Sequence, residues 1–179
     1  LTRTITISSW NAITTDNYKA SGIDVDLTDF NCWEDIQTYL EKKGFDLEGD
    51  DEELCIIDTT FGALFDEDIE RFNVERVVKA IYDSKIMYEY YLERLTKAFC
   101  QAQNFEEWLE RVEKYGEMWY DNMKLWPKDY EDFGREHFND YEDSLPSHLE
   151  YYFDYVRYAE DLLTNGQFYE VEDYIIEIW

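Results

Sequence analysis

Alternating apolar and polar positions predict a small sheet in the first third of the chain. TRTITISSW (2–10) and IDVDL (23–27) alternate with the two-residue period of a half-buried strand, and LCIID (54–58) is the third predicted strand. Between the last two runs, Asn31 and Glu34 form the N-x-x-E pattern that is typical of a helix start. Gly44 is a natural helix stop, so we predict a helix over 32–43 inside an α+β unit over 1–65.

Apolar positions that recur every three or four residues predict a helical middle. The two stripes are Val74, Val77, Val78 and Ile81, and then Tyr88, Tyr91, Leu92, Leu95, Phe99 and Ala102. Asn73 is a suitable N-cap for the first stripe. The segment 81–100 is nearly neutral, since it holds three acids and three bases. We predict a small helical unit over 66–103.

Capping patterns and glycine stops predict a second α+β unit over 104–179. Its expected elements are a helix from Asn104 to Gly116, a helix over 129–141, a helix over 150–163 opened by Ser147 and Glu150, and a hairpin around Glu172 and Asp173. The predicted fold class is therefore α+β, with three small units in series.

The helix expected over 150–163 would be strongly amphipathic. At 100° per residue its buried face takes Tyr151, Tyr152, Tyr155, Val156, Tyr158, Ala159, Leu162 and Leu163. Its other face is almost purely anionic and carries Glu150, Asp154, Glu160 and Asp161, together with Arg157 and Phe153. This pattern predicts an amphipathic helix whose solvent face is almost purely anionic.

Charge narrows the choice of partners. The 179 residues include 43 acids and 16 bases, which gives a net charge of −27, and residues 129–179 hold 15 acids against 2 bases. Aromatic content is 18%, so the chain has the material for a core that a disordered acidic tail lacks. Repulsion between like charges disfavours binding of this protein to nucleic acid or to an anionic membrane, and a basic protein is the favoured partner.

No sequence pattern points to catalysis or to a cofactor. Cys32, Cys55 and Cys100 are scattered, so we expect a reducing cytoplasm without a disulfide framework. The acidic run DLEGDDEE lacks the glycine and glutamate spacing of an EF-hand. His137 and His148 have no partner at metal-ligand spacing, and we expect both on the surface. We predict a protein that is not an enzyme and binds no metal.

The acidic faces leave several interpretations open. They could be only solvated, or adapted to high salt, although 16 tyrosines and 6 tryptophans count against the latter. They could also copy nucleic acid, because duplex DNA carries one negative charge per about 1.7 Å and 27 charges correspond to roughly 46 Å of duplex. A third possibility is an acidic module that binds a basic protein without copying DNA geometry, for instance in a chaperone-like role.

The C-terminal third resembles the ArdA-type antirestriction proteins. The resemblance lies in LPSHLEYYFDYVRYAEDLLTNGQF and the aromatic-acidic strand pair after it, where the matching positions are Tyr152, Asp154, Tyr155, Tyr158, Ala159, Asp161 and Leu162. Glu160 stands where the family usually has arginine, and Arg157 lies one turn earlier. The N-terminal stretch 5–27 and the run IIDTTFG match more loosely.

The resemblance implies both an architecture and a function. ArdA proteins come from phages, plasmids and conjugative elements, and they are elongated, three-domain, dimeric mimics of bent duplex DNA. They occupy the DNA-binding groove of Type I restriction-modification enzymes, so this chain would bind such a groove in a bacterial host cell, form a homodimer and not bind nucleic acid itself. Because Glu160 departs from the family pattern, other anti-defence targets such as a CRISPR effector stay open.

Two sets of residues carry these expectations. The carboxylates expected to stand for phosphates are Asp129, Glu131, Asp132, Glu136, Asp140, Glu142, Asp143, Glu150, Asp154, Glu160 and Asp161. The candidates for the dimer interface are the aromatic residues Trp126, Phe138 and Phe153. We expect binding to be spread over the first set, because no single carboxylate has a chemical role that the others lack.

Overall fold

The chain folds into a mixed α+β structure with two compact units. The computed structural model describes residues 3–61, 69–142 and 145–179. The first unit is Leu1–Glu93 with Phe105–Trp119, and the second is Arg94–Asn104 with Tyr120–Trp179. The α+β class is confirmed, but the three-unit layout is not, and its boundary at residue 65 lies outside the described residues.

The first unit is built on a three-stranded antiparallel sheet. Its strands are β1 (Thr4–Ser9), β2 (Ile23–Asp26) and β3 (Leu54–Thr59), in the order β2-β1-β3. The three predicted strands are thus confirmed. Ile5 lies opposite Val25 and Ile7 lies opposite Ile56, and all four side chains are fully buried. This register puts the alternating apolar set on one face, where it forms the core.

Two helices frame this sheet, and the sequence predicted only one of them. Helix α1 (Trp10–Thr15) follows β1 directly because the Ser9 hydroxyl accepts a hydrogen bond from the Ala12 amide and caps the helix. Helix α2 (Trp33–Lys42) matches the prediction in place, and Gly44 ends it with a φ of 95°. Its N-cap is Cys32, so the predicted capping role of Asn31 is wrong.

Helices complete the first unit. They are α3 (Val74–Asp83), the start of α4 (Tyr90–Ala102) and α5 (Phe105–Tyr115). Asn73 caps α3 as predicted, since its side chain accepts a hydrogen bond from the Arg76 amide. Trp119 is fully buried in this unit, stacks edge-on against Trp108, and donates its indole N–H to the Ser84 carbonyl at 3.1 Å.

The second unit has its own antiparallel sheet. Its strands are β4 (Met123–Pro127), β5 (Phe168–Glu170) and β6 (Tyr174–Ile178), in the order β4-β6-β5. The predicted hairpin around Glu172 is confirmed as the β5–β6 pair. Strand β4 was not predicted. It is short and contains Lys124 and a terminal proline, and its pairing with β6, fifty residues later in the chain, defines it.

Besides the end of α4, the described part of the second unit contains three helices, of which α6 and α8 pack against its sheet. They are α6 (Tyr130–Tyr141), the single turn α7 (Ser147–Glu150) and α8 (Tyr155–Leu163). The core joins Trp126 of β4, Phe133 of α6 and Ala159 of α8 with Phe168 and Ile175 of the hairpin. Among the described residues, no helix has both the length and the apolar content needed to cross a membrane.

The helix predicted over 150–163 begins later than expected. Pro146 precedes a single helical turn that has no side-chain cap, and the chain then turns before Asp154 caps α8. The Asp154 carboxylate accepts a hydrogen bond from the Arg157 amide at 3.0 Å. The Ser147 capping prediction is therefore wrong. The later start also rotates the residues before 155 out of the expected buried face.

A glycine allows α6 and α8 to pack closely. A Cβ atom on Gly134 would lie 2.2 Å from the carbonyl oxygen of Tyr155, the first residue of α8. Backbone at this position cannot move aside without separating the two helices. Gly134 therefore sets the distance between the two helices that carry most of the candidate carboxylates.

We predict that Gly134→Ala destabilises the protein. Alanine gains about 1 kcal/mol of helix propensity, but the clash with backbone outweighs it, and we expect a net loss of about 1–3 kcal/mol. Urea unfolding measures the difference. Gly166→Ala is the control, because nothing lies within 4 Å of its added Cβ. Equal stability of both variants would contradict a close helix contact at Gly134.

Candidate partner-binding surface

The candidate carboxylates that the structure describes are all exposed. They are Asp129, Glu131, Asp132, Glu136, Asp140 and Glu142 on or beside α6, and Glu150, Asp154, Glu160 and Asp161 on or beside α7 and α8. Asp143 lies outside the described residues. The buried side of α6 holds Phe133, Gly134, His137 and Phe138, so helix geometry turns the carboxylates toward solvent.

Two of these carboxylates also stabilise their own helices. Asp129 accepts hydrogen bonds from the amides of Glu131 and Asp132, and Asp154 accepts one from the amide of Arg157. An acid at a helix N-terminus satisfies free amides and interacts favourably with the helix dipole. Replacing either acid by alanine would therefore remove a cap as well as a charge, whereas asparagine keeps the cap.

Few cations neutralise this surface. Arg135 pairs with Glu131 at 2.6 Å, and Lys124 pairs with Asp140. Within the described ranges, no ion pair is formed by the carboxylates of Asp132, Glu136, Glu142, Glu150, Glu160 and Asp161. Most of the surface charge is therefore available to a basic partner.

The charge along α6 is nevertheless sparser than that of DNA. The helix carries four carboxylates and one guanidinium over 12 residues. At 1.5 Å per residue this amounts to about one net charge per 6 Å of axis. A single DNA strand carries one charge per about 3.4 Å. A surface of this kind can match roughly half of the phosphate positions along one strand.

Negative charge is not confined to this surface. The second unit has 16 acids and 6 bases, and the first unit has 27 acids and 10 bases. Per residue, the two units are about equally negative. The second unit as a whole is therefore not richer in negative charge than the first, and its candidate carboxylates are distinguished only by their place on the exposed helix faces.

An apolar patch interrupts the anionic surface. It consists of Leu149, Tyr151, Tyr152 and Val156, and the two tyrosines are 89% and 80% exposed. The sequence predicts Tyr151, Tyr152 and Val156 on the buried face, which is wrong. Tyr151 and Tyr152 precede α8, which begins at Tyr155, and Val156 lies on the exposed side of α8. Asp154 as a strong N-cap residue was the sequence signal that could have revealed the later start.

Two of the three aromatic candidates for a dimer interface are buried. Trp126 is only 1% exposed and belongs to the core, and Phe138 is buried as well. Phe153 is half-buried and packs on Phe138 with ring centroids 4.7 Å apart. Phe153 is therefore the candidate nearest the exposed apolar patch, since it lines one pocket together with Tyr151, Tyr152 and Val156.

A histidine lies on the buried side of α6, so its predicted place on the surface is wrong. His137 shares the apolar stripe with Phe133, and its Nδ1 lies 3.0 Å from the Tyr158 hydroxyl. Burial lowers the pKa of His137, and the nearby Lys124 lowers it further. The ring is therefore a neutral hydrogen-bonding member of the core, whereas His148 is exposed as predicted.

A buried carboxylate on the central strand was not foreseen. Glu177 accepts hydrogen bonds from the Trp126 indole at 3.0 Å and from the Tyr141 hydroxyl at 3.4 Å. Burial raises the pKa of Glu177 despite these two donors and the charge of Lys124. Alternation along β6 could have placed Glu177 on the same face as Ile175, but the sequence gives no reason for burying an acid there.

The arrangement favours binding over chemistry. Among the described residues no group of histidine, cysteine or acidic side chains could hold a metal ion. Exposed carboxylates on short packed helices, with an apolar patch between them, are typical of the class of proteins that bind a basic partner.

The family match specifies that class. A family model described as antirestriction protein (ArdA) matches residues 22–177, so the chain belongs to the ArdA antirestriction family, as the C-terminal resemblance indicated. Its function is therefore antirestriction, the inhibition of restriction systems, and its partners are restriction enzymes. No curated protein matches the chain.

We predict that Glu177→Gln stabilises the protein at pH 7. Glutamine keeps an acceptor for the Trp126 indole and removes a buried charge. The folded-state pKa of Glu177 is raised, so the neutral carboxyl fits the fold better than the charged one. The contribution of this group to wild-type stability is therefore fully present below its unfolded pKa of about 4.3, and it is lost as pH rises through the folded pKa. The advantage of the variant should thus be present at pH 7 and vanish near pH 4.

Urea unfolding at both pH values measures this difference. Glu136→Gln, at an exposed position on α6, is the control and should change stability by less than about 0.5 kcal/mol. A Glu177→Gln variant that is less stable than wild type at pH 7 would contradict the account of this site.

Proposed function

We propose that this protein inhibits a Type I restriction-modification enzyme by occupying its DNA-binding groove as a mimic of duplex DNA. The observation that supports this most directly is the row of exposed, mostly unpaired carboxylates on α6 and α8. A groove that binds DNA is lined with lysine and arginine, and an anionic surface on rigid helices complements it.

The helices give the surface its rigidity. Gly134 and the shared core fix α6 against α8, and Asp129 and Asp154 fix the first turns of both. Carboxylates on such a frame lose less conformational freedom on binding than carboxylates on a flexible tail. The frame therefore favours a mimic over a loosely acidic module that binds basic proteins without regard to geometry.

The proposal includes assembly and location. We propose a homodimer that buries the apolar patch of Leu149, Tyr151, Tyr152 and Val156, because exposed tyrosines and aliphatic side chains favour burial. The protein would act in the cytoplasm of a bacterial host and would not bind nucleic acid directly.

We predict that inhibition is spread over many carboxylates. An exposed ion pair contributes about 0.2–1 kcal/mol, so Asp154→Asn or Glu160→Gln alone should weaken inhibition by about fivefold or less. Neutralising Glu150, Asp154, Glu160 and Asp161 together should weaken it by about 1–4 kcal/mol, or roughly 5- to 900-fold, if the sites add. Titrations of restriction activity measure both effects.

A second quadruple variant is the matched control. Glu41→Gln, Glu48→Gln, Asp50→Asn and Asp83→Asn also remove four exposed charges, but from the first unit. We expect a smaller loss of inhibition from this variant. Abolition of inhibition by one normally folded single substitution would instead indicate a discrete site, and equal losses in the two quadruple variants would contradict the placement of the surface on α7 and α8.

We predict that the apolar patch drives dimer formation. Tyr151→Ser combined with Tyr152→Ser should convert a dimer to a monomer in light scattering at micromolar concentration and moderate salt. Tyr88→Ser combined with Tyr90→Ser is the control, because these tyrosines are also well exposed, at 69% each. A wild-type protein that is only monomeric under these conditions would count against the dimer.

A further inference from the structure

A groove in the first unit has no role in the proposed mimicry. It encloses about 520 Å³, which is within the range of pockets that hold small ligands or side chains. Aromatic and aliphatic residues line it, among them Trp10, Trp33, Leu47 and Phe72. A surface that only copied phosphates would have no use for an aromatic groove.

The rim of this groove is acidic. Glu52, Glu53 and Glu70 line it, are exposed, and form no ion pair within the described part of the chain. Glu75 also lines the groove but pairs with Lys79, and Arg71 is already engaged within the chain. The rim therefore favours a cationic ligand.

The loop that carries two of these acids is held in place. Asp51 is fully buried, accepts hydrogen bonds from the Ser9 hydroxyl at 2.6 Å and the Asp46 amide at 2.9 Å, and pairs with Lys19. The backbone carbonyl of Glu53 accepts a hydrogen bond from the amide of Trp10 at 3.0 Å. The rim is thus positioned before any ligand arrives, which lowers the entropic cost of binding.

One of the residues that line the groove has a buried donor without a partner. Trp33 is 4% exposed, and its indole Nε1 has no hydrogen-bond partner. Trp108 shares this property but does not line the groove. A buried donor without an acceptor is unfavourable, so an oxygen atom that reached the Trp33 indole would gain a hydrogen bond. Since Nε1 is almost inaccessible, a neighbouring side chain must shift for this contact to form.

We propose that the groove binds an arginine side chain presented on an extended peptide segment of a protein partner. The planar guanidinium suits both the carboxylates of Glu52, Glu53 and Glu70 and the exposed ring of Trp10, on which it can stack. A backbone carbonyl of the same segment accepts the Trp33 indole N–H. This site goes beyond DNA mimicry and does not depend on it.

The test uses a short peptide and the indole N–H signals of the full chain. Acetyl-Gly-Arg-Gly-amide is titrated into ¹⁵N-labelled protein, and the signals of Trp10 and Trp33 are assigned with Trp10→Phe and Trp33→Phe. We expect both signals to shift with saturation. The same peptide with citrulline, an uncharged isostere of arginine, should bind at least fivefold more weakly.

Two double variants of the same loop separate a specific site from general attraction. Glu52→Gln with Glu53→Gln should weaken binding at least threefold. Glu48→Gln with Asp50→Asn removes the same charge from residues that do not line the groove, and should leave affinity within twofold. The inference is overturned if neither indole signal shifts, if citrulline binds equally well, or if both double variants weaken binding alike. No restriction enzyme is needed, so the outcome is independent of the proposed inhibition.

Discussion

Repulsion among 43 carboxylates, set against only 16 bases, is the constraint to which the rest of the structure responds. Each unit opposes it with a core rich in large apolar side chains, including Trp108 and Trp119 in one and Trp126 and Phe133 in the other. Bases are placed where they hold the fold together, as Lys19 does at the buried Asp51. Most of the described acids face solvent, where they give the surface its negative charge.

The same acids can serve structure and function together. Asp129 and Asp154 cap helices while presenting charge, because a helix N-terminus stabilises a carboxylate. Glu177 shows the opposite case, since its charge is buried and its pKa is raised. The protein thus keeps one acid in the core, where its charged form is unfavourable, while salt screens the repulsion among the exposed acids.

Local signals in the sequence predicted much of this fold. The strands β1, β2 and β3, the Asn73 cap and the β5–β6 hairpin are confirmed, because the signal for each comes from residues close together in the chain. Contacts between distant residues were not predictable. Strand β4 is defined by pairing with β6, and Gly134 matters only because the Tyr155 backbone lies against it. Helical periodicity predicted that the candidate carboxylates are exposed. It did not predict the exposed Tyr151 and Tyr152, because the sequence placed the start of α8 too early.

Competition with duplex DNA tests the central claim most directly. The restriction enzyme is titrated with this protein at several concentrations of a duplex that carries its recognition site, at two ionic strengths. We expect the apparent inhibition constant to rise in proportion to duplex concentration, and inhibition to weaken as salt rises, because both ligands need the same basic groove. An inhibition constant that is unaffected by duplex concentration would show that the protein binds elsewhere and would contradict mimicry.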